Sequence, residues 1–522
     1  MFHLSRGRSL RLIAITAAVA AAAALTGCSS GSSGGGLAEQ SPDTLRIAIS
    51  SPPASLDPAL AGNGDPLQIL YELAYDPLIY QLPDGSFAPG LATEWGFVGE
   101  GNKVFDLTLR EGVTFTDGGE LTAEGVKAYF EYYGSVSGFG SRVQNFESID
   151  VTGPLSLRIT LKEPNPQLAY MLTQDLGTGN VISPVALENV ETLGTSTAGA
   201  GQYVLDETKT VANQTYVFTA NPDYWNPDAI NWETIEVKVL ANTAAALSAM
   251  RTNQIDYMFG SAKEAEAAEE AGFNVTTEPY LFGFVSLLDR GGEVVPALGD
   301  LRVRQALNYA IDRDSLVSGL FGDYASPSQQ LLLPGADGYD ESLESAYTYD
   351  PDKARALLAE AGYADGFTIP MAAYNLQPGE TDVAQAIASY WDAIGVTTEV
   401  TVAQTINDYA QMILNKEAVS TVFEYGGQPF YLVATQLLAP GFFNPFNSTD
   451  PEISALIAEG AAANSDDAPA IYKELQAEVQ KEAWFAPFAS IDKVVISRPG
   501  LEGIQMTPDS LNPNPVFFSA GN

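Results

Sequence analysis

The sequence predicts a multi-lobed α/β protein, and three observations carry that expectation. The chain has 522 residues, too long for one hydrophobic core, which rarely grows past about 250–300 residues. Hydrophobic residues make up 46 % and charged residues 17 %, so a large core can form. From about residue 300, helical and strand patterns alternate, whereas the earlier half is richer in antiparallel-looking strands.

The first 27 residues carry Arg6, Arg8 and Arg11 and no acid, followed by an apolar run from Leu12 to Leu25. That run is shorter than the roughly 20 residues a bilayer span needs, so it reads as a cleaved signal over 1–27. Leu25-Thr26-Gly27-Cys28 resembles the bacterial lipobox, which implies lipidation of Cys28. Ser29 to Gly36 contains only Ser and Gly, so 28–43 is expected to be a flexible tether. Its Ser/Gly stretch reaches at most about 25 Å at about 3.3 Å per residue.

Beyond the leader there is no histidine, because His3 is the only one, and no cysteine except Cys28. Zinc sites built on Cys or His, haem held by them, a Ser-His-Asp triad, a cysteine nucleophile and a disulfide framework are thereby excluded. No metal or other cofactor is expected. The net charge of −40 argues against nucleic acid and against docking on anionic lipid through surface charge. Acids spread along the whole chain read first as a solvated surface.

Alternation predicts strands at 44–49, 104–110, 155–161, 203–205, 215–220 and 234–240. Helical spacing predicts helices at 66–75, at 122–133 with Thr122 as N-cap, and at 243–252. Later come helices at 302–316, 351–361 (opened by Asp350-Pro351 and closed by Gly362), 381–394, 409–415, 452–463 and 468–482. Strands are expected at 397–402 and 419–423.

Several stretches together carry a family resemblance. They are Ser55-Leu56-Asp57-Pro58, Pro89 to Trp95, Leu109 to Gly118, Asn221-Pro222-Asp223-Tyr224-Trp225, Arg302 to Arg313, and Asp352 to Gly362. Their order and spacing resemble the extracellular solute-binding proteins of the peptide/nickel class (family five), which deliver ligands to ABC importers. Gly125 departs from the pattern, standing where relatives usually have an acid.

The resemblance implies a two-lobed periplasmic-binding-protein-like fold (type II) with a subdomain inserted in lobe one. Lobe one would comprise 44–283 plus 487–522, with the insertion at about 72–183, and lobe two 284–486. Chain crossings would lie near 282–287 and 484–489. The implied partners are a small organic ligand (an oligopeptide, modified peptide or glycoside), ABC permease subunits with their ATPase, and the membrane through the lipid anchor. The protein would act as a monomer outside the membrane. A secreted carboxylate-based hydrolase and a non-transporting surface ligand sensor are the alternatives.

The resemblance also implies a ligand site. Ser51, Pro53 and Ser55 would line the cleft floor; Phe139 would come from the insertion; Tyr280, Phe282 and Phe284 flank the first crossing. Tyr374 and Asn375 follow a lobe-two strand. Phe423, Glu424, Tyr425, Gly426 and Gln428 belong to the segment that corresponds to the ligand-clamping loop. Tyr425 stands where peptide-binding relatives often place an acidic ammonium anchor, and Glu424 beside it should point the opposite way on extended chain.

Residues 356–472 hold 14 acids and one cation, Lys416, which leaves a ligand carboxylate without an obvious partner there. Neutral, blocked, sugar-like or mildly cationic ligands are therefore expected over free dipeptides. Arg142 or Arg158 in lobe one are the cations that would alter this expectation.

Overall fold

In the computed structural model the described residues are 43–61, 68–136, 142–374, 379–505 and 512–521. Cys28, the tether, Phe139 and Asn375 lie outside them. Among the described residues no helix is long and apolar enough to cross a membrane.

An eleven-stranded mixed sheet is the backbone of the fold. Its order from one edge is Val396–Val402, Phe367–Ala373, Ser420–Gly426, Asn274–Leu287, Phe485–Ser497, Tyr257–Phe259, Thr44–Ile49, Thr234–Val239, Thr215–Ala220 and Tyr203–Leu205. Ala325–Pro327 pairs off this path with Phe485–Ser497. The two longest strands, Asn274–Leu287 and Phe485–Ser497, run antiparallel at the centre, in register from Asn274 opposite Ser497 to Ser286 opposite Phe485. The register shifts between Pro279 and Leu281 and again between Gly283 and Phe284.

Three cores pack against this sheet. One draws on Ala48, Ala246, Met250, Ala265, Phe273, Val494 and Ile496. A second gathers Val285, Val303, Leu307, Trp391, Val422 and Phe488. The third and largest joins Leu45, Tyr75, Phe282, Phe284, Phe423 and Tyr472. A separate four-stranded antiparallel sheet is ordered Ala92–Phe97, Val104–Leu109, Ser156–Leu161, Phe146–Gly153. The architecture is a two-lobed α/β fold.

Local chemistry explains the elements that the sequence foretells. In Val104–Leu109 and Ser156–Leu161 alternate side chains are buried, as period-two patterning requires. The helix Ala123–Ser135 starts where the Thr122 side chain accepts from the Gly125 N–H. A Cβ on Gly125 would stand 3.2 Å from Thr122 Oγ1 and 3.4 Å from the Pro184 ring. Asp350 accepts from the Lys353 N–H to open Pro351–Glu360, and Gly362, at φ +90°, ends it.

Two expectations need correction. The single helix over 302–316 is two helices, Leu301–Tyr309 and Arg313–Leu320. Asp312 breaks it: its carboxylate accepts from the Ser315 N–H and starts a new helix. The strand expected to end at 423 continues as Ser420–Gly426, so most of the expected clamping loop is extended chain. Its pairing with Leu281–Leu287 is a non-local contact that holds Glu424, Tyr425 and Gly426 in the sheet. The buried helix Phe430–Leu438 had not been expected; it is apolar around most of its circumference and shows no polar stripe to reveal its period.

Candidate functional site

The register of the central strands sorts the candidate residues onto two faces. Phe282 lies opposite Tyr425 and Phe284 opposite Phe423, while Gly283 lies opposite Glu424. Side chains alternate along a strand, so the four aromatics share one face and Glu424 occupies the other.

On the aromatic face, Phe282 and Phe284 stack at 5.8 Å, Phe282 lies 6.1 Å from Tyr425, and Phe284 lies 6.2 Å from Phe423. Phe443, which the sequence reading had not singled out, closes the group edge-on at 4.9 Å from Phe423 and 5.9 Å from Tyr425. Phe284 and Phe282 are 0 % and 2 % exposed, so they form the floor, whereas Tyr425 and Phe443 are half-buried. Tyr374 continues the aromatic run toward Tyr409 at 5.9 Å, and Tyr409 in turn lies 6.3 Å from Phe442. The Gly-Phe-Phe run at 441–443 was the signal available in the sequence for this wall.

The rim of this face is polar. The Tyr425 hydroxyl donates to Gln436 Oε1 at 2.5 Å and accepts from Gln428 Nε2 at 3.3 Å, and Gln436 Nε2 donates to Gln428 Oε1 at 3.3 Å. Burial pushes the Tyr425 phenol up to about 12, while Gln428 and the nearby Arg142 guanidinium act to lower it. Gly426 passes so close to the neighbouring strand that a Cβ there would stand 2.5 Å from the Tyr280 carbonyl oxygen. The Gly427 carbonyl accepts from the Tyr170 hydroxyl at 3.1 Å, and Tyr431 donates to the Pro164 carbonyl at 3.1 Å. Those two bonds bring residues 427–431 against residues 164–170.

The remaining candidates fall into two other groups. Ser55 is buried and its Oγ accepts from the Asp57 N–H at 3.1 Å; Pro53 is half-buried and Ser51 exposed. Asp57 is held by Ala59 N–H and by the Tyr132 hydroxyl at 2.5 Å, and burial raises its pKa. Tyr280 is the extra residue at the first register shift, with Lys493 Nζ 4.1 Å from its ring centre. Lys493 also bonds Asn512, which donates to Gln68, which donates to the buried Glu72.

The cations behave differently from one another. Arg158 forms a two-pronged pair with Asp106 at 2.7 and 2.8 Å in the four-stranded sheet, and Lys416 pairs with Glu293 at 2.8 Å. Arg142 donates to the Leu176 carbonyl and carries its charge near Tyr425.

Glu424, on the opposite face, is 6 % exposed and donates its backbone N–H to Glu380 Oε1 at 3.2 Å. Burial first, and the Glu380 charge second, push its carboxyl up to about 8. Among the described residues no group of three or more His, Cys, Asp or Glu is placed to hold a metal ion.

A family model described as bacterial extracellular solute-binding proteins, family 5 Middle, matches residues 86–439. The chain belongs to that family. The glutathione-binding protein GsiB of Salmonella typhimurium is 26 % identical over 490 residues, covering 89 % of this chain and 92 % of the relative. GsiB of Escherichia coli O157:H7 is 27 % identical over 432 residues, covering 78 % and 81 %. Among solved structures, HbpA2 from Haemophilus parasuis superposes with a TM-score of 0.79 at 20 % identity, over 92 % of this chain and all of the other. NikA from Brucella suis in complex with Fe(III)-EDTA superposes with a TM-score of 0.76 at 22 % identity, over 91 % and 99 %. The family 5 protein is thus a solute-binding component of an ABC importer that works on the extracytoplasmic side, and its relatives are binding proteins rather than enzymes.

Proposed function

We propose that this family 5 protein captures a peptide-like or other small organic solute on the aromatic face of the central strands and hands it to its permease without chemical turnover. The observation that carries the reading is the shared face of Phe282, Phe284, Phe423 and Tyr425, floored by buried rings and rimmed by amide and phenol groups. Such a face offers apolar area with a few orienting polar groups, the usual make-up of a small-molecule site. The glutathione-binding relatives favour a peptide-like solute.

The lobes would be 44–283 plus 487–522, with an insertion at about 72–183, and 284–486. One core drawn from 48–273 plus Val494 and Ile496, and another from 285–422 plus Ala486, support two lobes; Phe488 and Ala489 pack with the second core, and the largest core joins residues of both. The two long strands would be the hinge. Cys28 would anchor the monomer to the membrane; Cys28→Ala should then leave a folded protein in the soluble fraction, and full membrane retention would contradict the anchor.

Charge sharpens the ligand class. Glu424 is turned away from the aromatic face, Lys416 and Arg158 are paired, and Arg142 brings positive charge near Tyr425. With Glu424 on the other face, a free dipeptide would bury its ammonium there away from that carboxylate, at several kcal/mol if no other partner meets it. Amino-blocked, neutral or singly anionic solutes are expected instead. Calorimetry with free, N-acetylated and doubly blocked forms of one dipeptide tests this: the N-acetylated form should bind at least tenfold more tightly than the free form. The reverse order would overturn the ligand class.

A further inference from the structure

The face turned away from the aromatics opens on a cavity of about 350 Å3. It lies between the start of the Ala262–Glu270 helix, the end of the Arg313–Leu320 helix and the start of the Glu380–Asp392 helix. Its acids are Glu424, Asp382 and Asp492, and its rings are Phe259, Tyr280, Phe321 and Tyr324. Two lysines share the lining, Lys263 and Lys493. Lys493 is already engaged, by its hydrogen bond to Asn512 and by the Tyr280 and Phe259 rings, and it makes no hydrogen bond to Glu424 Oε1.

Glu424 is the anomalous group. It is 6 % exposed, and its Oε1 has no hydrogen-bond partner. Beside it is another carboxyl, Glu380, itself 2 % exposed, bonded to the Glu424 N–H and acting with burial to disfavour the charged form. A buried carboxylate beside a second carboxyl is strongly disfavoured unless it is protonated or meets a cation.

We propose that this cavity is a second ligand site, distinct from the aromatic face, which takes a small organic ammonium ion with Glu424 as its ionic partner. The ammonium would give Glu424 the donor it lacks, and Tyr280, Phe321 and Tyr324 would hold the alkyl body and the face of the charge. Because burial and Glu380 keep the empty Glu424 largely protonated near neutral pH, binding should release a proton. The walls come from segments before the first long strand and from segments between the two. An occupant therefore favours whichever arrangement of the lobes brings those walls together, and couples to solute capture in that way.

The test is calorimetry of n-butylammonium and of neutral n-butanol with the full chain at pH 7.5, in two buffers of different ionisation enthalpy. The proposal expects saturable butylammonium binding, at least tenfold weaker butanol binding, and an apparent enthalpy that shifts with the buffer. Glu424→Gln should weaken butylammonium binding at least tenfold and Tyr324→Ser several-fold, while Glu417→Gln, an exposed acid elsewhere in the same half, should leave it unchanged. Absence of saturable binding, equal affinity for alcohol and ammonium, or full affinity in Glu424→Gln would overturn it. The alcohol comparison uses the unmutated protein, so it decides even if the variant folds poorly. Neither variant touches the aromatic face, so failure here would leave the solute-site reading standing.

Discussion

The two faces of the strands Asn274–Leu287 and Ser420–Gly426 are made by alternate residues of the same segments, yet they are stabilised in opposite ways. One face stacks Phe282, Phe284, Phe423 and Tyr425 into continuous apolar contact. The other seats Glu424 across from Gly283 and against Glu380. The aromatic side gains from burial at about 25 cal/mol per Å2, whereas the acidic side holds a group whose charged form burial penalises. A binding protein can place solute on the first face without weakening its sheet, while the second is a point of stored electrostatic cost that a cation or a proton relieves.

That contrast breaks most sharply at Phe284. Fully buried and in contact with Phe282, Phe423 and Phe485, it should cost about 4 kcal/mol when changed to Ala. Chemical denaturation would show this as a lowered midpoint, and a change below about 1 kcal/mol would mean that the floor is not packed as described.

The acidic face should reveal itself through pH. The Glu424 carboxyl holds its proton up to about pH 8 in the folded protein, against an ordinary value of 4.5. Between those values the unfolded chain binds fewer protons than the folded one, so Glu424 removes stability as pH rises toward 8. Glu424→Gln should therefore match the parent near pH 4.5 and exceed it by a few kcal/mol near pH 8. Parallel stability profiles for the two proteins would contradict the buried-acid assignment.

The smallest effect belongs to the rim. Tyr425→Phe removes a hydroxyl bonded to Gln436 and Gln428 and should cost about 1 kcal/mol of stability, measured by the same denaturation.

Much of this was legible in the sequence where the signal is local. Alternation marked Val104–Leu109 and Ser156–Leu161, and the caps Thr122 and Asp350 marked helix starts, because each depends on residues within a few positions. The opposite orientations of Glu424 and Tyr425 also followed from extended geometry alone. What escaped depends on distant partners. Continuation of Ser420–Gly426 through the expected loop needs Leu281 to Leu287 beside it, and the meeting of Glu424 with Glu380 spans 44 positions. Arg142 could be named as a cation but not placed near Tyr425. Ser51, Pro53 and Ser55 were grouped with the aromatics by resemblance, and the hydrogen bonds of that loop run to Gly194 and Tyr132.

The central claim is that solute is held on the aromatic face, and one measurement reaches it directly. The solute that co-purifies with the protein, identified by mass spectrometry, would be titrated calorimetrically into the parent and into Tyr425→Ala. Tyr425 combines half-buried ring area with the hydroxyl at the centre of the Gln428–Gln436 rim, so its loss should weaken binding at least tenfold while the protein stays folded. Unchanged affinity in a folded Tyr425→Ala protein would place the solute elsewhere and contradict the account.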